Sequence, residues 1–149
     1  MPCDTRLLTF NEMLRLATQR QSASDERLAE CRTQIERAKA RLQAAQEGLD
    51  RAIFDEAQAR HAHIDWLNYL NTLPDSGSPA MRQKLTDLFD ASARAVLDAL
   101  AAHETVISFQ KALNEATSGL ALAQAAQRKI AEERNLVTSE IAKLSNLSR

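Results

Sequence analysis

The sequence predicts an all-α protein, a long two-helix antiparallel coiled-coil hairpin, and three observations lead there. Only three Gly and three Pro occur in 149 residues, and aromatics make up 4%, which leaves little material for turns or a thick core. Ala, Leu, Gln, Glu, Lys and Arg dominate; these side chains lose little freedom in a helix, while the β-branched and aromatic residues that favour strands are sparse, so no strand is expected. Finally, apolar residues recur at alternating spacings of four and three in two long stretches separated by a single breaker cluster.

The first arm is expected over about 5–73. Leu7, Leu14, Leu28, Ile35, Leu42 and Leu49 form a row of large residues seven apart, interrupted at Gln21, and Phe10, Ala17, Ser24, Cys31, Ala38, Ala45 and Ala52 form a row of mostly small ones. Large beside small gives a close-packed seam. Past Leu49 the pattern reads as a stutter through Ala45, Leu49 and Ile53, spaced by fours. Glu47 with Arg51 and Glu56 with Arg60 keep this zone helical through pairs four apart.

The tip is residues 74–79, where Leu73-Pro74-Asp75-Ser76-Gly77-Ser78-Pro79 concentrates the breakers. Ser78 is placed to cap the second helix, with Asp75 as an alternative, and Pro79 suits the first helical position because its missing N–H would have had no helical partner. The second arm follows over about 80–146, with Val106, Leu113, Leu120 and Ile141 in one row, interrupted at Gln127 and Arg134. Phe109, Ala116, Ala123, Ile130, Val137 and Leu144 make the other row. Tipward of Val106 its clean heptad is expected to lapse, with His103 among seam positions Val96, Leu100 and Ile107. Folding about Ser76 brings Leu14 near Val137 and Phe10 near Ile141, and sets Gln21 and Ser24 close to Gln127 and Arg128 in one polar layer that fixes alignment. Each arm is then near 65 residues, or about 100 Å.

Charge and cysteines narrow the function classes. The net charge of −1 is spread over both halves, so no nucleic-acid footprint and no basic membrane-binding face is expected. No stretch of about 18 apolar residues occurs and Met1–Phe10 lacks the regions of a secretory signal, which argues against membrane insertion and for a cytoplasmic location. Cys3 and Cys31 lie on one arm, roughly 40 Å apart along a continuous helix, too far to pair.

Nothing in the chain reads as an enzyme. His61, His63 and Asp65 are two apart, and on a helix such neighbours point about 200° from one another, so no metal site is expected. No catalytic set, phosphate loop or zinc spacing is present, and no cofactor is expected. What remains is a second apolar stripe before the tip, Ala59, Ala62, Trp66, Tyr69 and Leu73, beside Ile64, Leu67 and Leu70, which are assigned to the seam. On the second arm Leu85, Leu88, Phe89, Val96, Leu97 and Leu100 also cover a wide face. Two helices cannot bury both stripes, so Trp66, Tyr69 and Leu73 are expected to bind a partner or to drive self-association through the tip half.

With its free ends together, its polar tip and its aromatic segment Ile64-Asp65-Trp66-Leu67-Asn68-Tyr69, the chain resembles the small coiled-coil stalk proteins of flagellar and virulence-type type III secretion systems, the FliJ/YscO/SctO-like family. The resemblance implies a non-enzymatic component at the cytoplasmic face of the secretion machine. It would sit in the central hole of a hexameric export ATPase and link that ring to the export gate protein and secretion chaperones. The open end would be the plug into the ring, with Leu8, Met13, Leu16 and Leu147 as its partner-binding residues. The alternative is a generic helical scaffold or adaptor that dimerises into a four-helix bundle.

Overall fold

The structure, a computed structural model, describes residues 2–147 and the side chains of 9–147. Two helices of 69 residues each, α1 (Pro2–Leu70) and α2 (Pro79–Leu147), flank a short 3-10 turn at Pro74–Ser76. The two long helices touch, and among the described residues there is no strand, so the fold is an all-α helical hairpin. Close contacts group into two compact units. A tip unit comprises Ala38–Leu113, and a terminal unit pairs the residues up to Arg37 with those from Asn114 onward.

The turn follows from its prolines and glycine. After Leu70 the chain tightens, with the Thr72 N–H donating to the Tyr69 carbonyl and the Leu73 N–H to the Leu70 carbonyl, both at 3.0 Å. Pro74 then forces Leu73 out of the helical region, to φ −97° and ψ 149°, because the proline ring crowds the residue before it. The helix therefore ends at Leu70 rather than near Leu73. Asp75, Ser76 and Gly77 all carry positive φ, which reverses the chain within a few residues. At Gly77 a Cβ would lie 3.0 Å from Leu70 Cδ2 and 3.3 Å from Met81 Sδ, so both the conformation and the space call for glycine. Ser78 Oγ accepts from the Met81 N–H at 3.2 Å, and Pro79 opens α2. Asp75, expected as a second cap, uses its backbone carbonyl to accept from Arg82 Nη1 at 3.2 Å.

In the tip unit the seam differs from the expected one. The covered positions of α1 include Ala45, Leu49, Ala52, Glu56, Ala59, His63, Trp66 and Leu70, alternating four and three apart, with Leu73 continuing the row beyond the helix. The heptad thus persists and there is no stutter: Ile53 is exposed while Ala52 and Glu56 take the seam. On α2 the heptad also persists tipward of Val106, through Ala102, Ala99, Ala95, Ser92, Leu88, Leu85 and Met81. His103, Val96, Leu100 and Ile107, placed in the seam by sequence, are exposed, and so are Ile64 and Leu67. The physical reason is continuity. Keeping one winding along each helix costs no local distortion, and its run of alanines lets the backbones approach closely. The expected Glu56–Arg60 pair is present at 3.9 Å, so the carboxylate at a seam position has a cation beside it.

In the terminal unit both expected rows of α1 are covered, Leu14, Gln21, Leu28 and Ile35 with Phe10, Ala17, Ser24 and Cys31. Across from them lie Leu120, Gln127, Arg134 and Ile141, with Ala116, Ala123, Ile130, Val137 and Leu144. Leu28, Ile35 and Ala123 are buried and the rest are half-buried, as a two-helix seam allows. The polar layer is resolved into two rungs. Arg134 Nη1 donates to Gln21 Oε1 at 2.7 Å, and Gln127 Nε2 donates to Asp25 Oδ1 at 2.9 Å. Gln21 is therefore matched with Arg134, one heptad beyond the expected Gln127. The longer arginine reaches the amide oxygen, and the shorter Gln127 is satisfied at the rim by Asp25.

Candidate functional site

A hairpin of two helices offers surfaces rather than enclosed cavities, so its functional groups are exposed apolar side chains and the charges beside them. In the terminal unit α1 contributes Met13, the adjacent pair Leu16 and Ala17 one turn on, and Arg20 a turn further, and α2 contributes Glu133, Leu136 and Val137. Ala17 and Val137 belong to the seam and form the floor; Met13, Leu16 and Leu136 form the walls and expose 44%, 48% and 67% of their surfaces. Arg20 and Glu133 close one end with opposite charges. The result is a shallow apolar groove between two helices, suited to a ridge of side chains from another protein. A second hollow in the same unit runs beside Ala23, Leu122 and Ala126.

Of the four residues assigned to the open end, Met13 and Leu16 lie together in this groove. Leu147 is exposed but is not among its lining, and the Leu8 side chain lies outside the described residues. Sequence reasoning missed Leu136 and Leu122. Their signal was present, since each is a leucine outside both heptad rows, on the flank of the seam where a charged residue would be ordinary.

The stripe assigned to a partner near the tip is split. Trp66 turns into the seam, where its indole Nε1–H donates to the Met81 carbonyl at 2.9 Å and Lys84 Nζ lies 4.1 Å above the ring. Tyr69 packs beside it, ring centres 5.4 Å apart, and exposes 48% of its surface; Leu73 is half-buried. Trp66, placed by sequence on a stripe outside the seam, instead lies in the seam behind the turn and is half-buried, and only Tyr69 of the three offers a large free surface.

No protein-family model, curated protein or solved structure matches the chain.

The large apolar surface of the tip unit lies elsewhere. On α1 Ile53, Ile64 and Leu67 fall on one stripe, and on α2 Phe89, Val96, Leu100 and Ile107 fall on another, every one of them exposing between 36% and 57% of its surface. A groove lined by Leu49, Ile53 and Glu56 with Val96, Ala99, Leu100 and His103 joins the two stripes, and His63 meets Phe89 edge to face at 5.5 Å. The opposite side of the same unit is polar, with Arg51, Asp55 and Asp98 around Gly48, Ala52 and Ala95. Sequence alone showed two apolar stripes per helix here but not which one turned inward. The clue was the heptad itself, which continues unbroken if Glu56 and His63 are accepted as seam residues.

Among the described residues no helix is long and apolar enough to cross a membrane, and no three His, Cys, Asp or Glu side chains cluster as metal ligands.

Proposed function

We propose that this chain is a non-enzymatic docking element whose terminal groove receives another protein, and that its partner is the hexameric export ATPase of a type III secretion system, with the chain as the central stalk. The observation that supports docking is the groove: three large apolar side chains, Met13, Leu16 and Leu136, stand open on a pair of helices whose seam is already filled. Exposed apolar walls with charges only at the rim are the composition of a binding surface rather than of a solvated helix face. The choice of partner comes from the resemblance to the export-stalk family, as do the links to the export gate protein and secretion chaperones and the cytoplasmic location.

The test is capture of a purified export ATPase by the full chain, followed by measurement of the mass of the complex. A stalk yields one chain per ATPase hexamer, and Leu136→Glu with Met13→Glu lowers the affinity at least tenfold while helicity is kept. Absence of a complex with the ATPase sinks the stalk assignment. Capture that both substitutions leave unchanged sinks the groove as its docking surface.

A further inference from the structure

We propose that the apolar face of the tip unit is a self-association surface, on which a second copy of this chain packs to form a four-helix bundle. This goes beyond the reading of the terminal groove and does not depend on which protein enters it; the association is reversible, and a single chain that enters an ATPase ring is the dissociated form.

Size supports the assignment. The exposed side chains of Ile53, Ile64 and Leu67 on α1 and of Val96, Leu100 and Ile107 on α2, with Phe89 beside them, present on the order of 600 Å² of apolar surface, close to the ~800 Å² that each partner covers in a standard interface. Charge identifies the occupant. The only charged side chain between those three residues of α1 on their stripe is Arg60, already beside Glu56 at 3.9 Å, and the matching interval of α2 holds only His103. A face with so little charge carries no signal for an acidic or basic partner, yet it meets a copy of itself without like-charge repulsion. The polar side of the unit, with Arg51, Asp55 and Asp98, disfavours an apolar contact on that side. Each stripe also carries an alanine between its large residues, Ala57 on α1 and Ala93 on α2, which gives ridges from the second copy a place to seat.

The experiment is sedimentation equilibrium of the full chain across the micromolar range. A reversible dimer is expected, and Leu100→Glu should raise its dissociation constant at least a hundredfold with helicity unchanged. Ile107→Gln, a milder change, should weaken it at least tenfold even if the glutamate variant fails to fold. Leu122→Glu, in the terminal unit, should leave the dimer intact. A monomer at every concentration overturns the proposal, and so does a dimer insensitive to Ile107→Gln or one dissolved by Leu122→Glu.

Discussion

Leu70 and Leu67 stand three residues apart near the end of α1, and truncating each to alanine separates the observed seam from the alternative in which both face inward. Leu70 exposes 1% of its surface and Leu67 36%. Leu70→Ala removes three carbons from a fully covered site, about 2.4 kcal/mol at ~0.8 kcal/mol per carbon, before any cavity is counted. The neighbours decide how much the cavity adds. Gly77 has no side chain to fill the space, and the flexible Met81 thioether relaxes into part of it, so a total of about 3 kcal/mol is expected, in the lower part of the range for buried leucines. Leu67→Ala on the outer stripe should cost about 1 kcal/mol, because a smaller share of its surface is withdrawn from water on folding. Urea unfolding of the full chain, followed by helical circular dichroism at a low protein concentration where association does not contribute, reads the difference. Equal losses for the two variants, or an unchanged midpoint for Leu70→Ala, would refute the seam assignment at the tip.

Three further outcomes follow from the turn, the indole and the polar rungs. Gly77→Ala should destabilise by about 1–2 kcal/mol, since alanine at φ 82° is strained and its methyl meets Leu70; a neutral result in the same unfolding assay would mean that the turn rearranges freely. Trp66→Phe should cost about 1 kcal/mol, the scale of the indole hydrogen bond to the Met81 carbonyl, and native Trp66 emission should be blue-shifted relative to the unfolded chain, whereas red-shifted native emission would put the ring in solvent. Replacing Gln21 and Arg134 together with leucine should raise the thermal midpoint, because a polar seam pair gives way to apolar packing, while admitting slipped or higher oligomers. A lower midpoint with unchanged mass would show that this pair contributes stability rather than alignment.

By itself the sequence determined the helices, the turn between them and the seam of the terminal unit. These depend on local chemistry: Pro74 and Gly77 break the helix, Ser78 and Pro79 restart it, and along rows such as Leu28 and Ile35 the flanking residues are charged or polar, so that no apolar stripe competes there. The tertiary structure decided the rest. Between Leu49 and Val106 each helix carries two apolar stripes, and the hydrophobic effect, proportional to area and without direction, favours burying either. Trp66 could thus be read as a binding residue, and Leu100 with Ile107 as seam. The choice fell to packing. A seam that continues the upstream winding through Ala52, Ala59, Ala95 and Ala99 brings the backbones close without a stutter, which leaves Ile53, Leu67, Val96 and Leu100 outside. Which side chains remain free to bind is therefore a property of how the two helices are rotated against each other, and that rotation exists only once both are in contact.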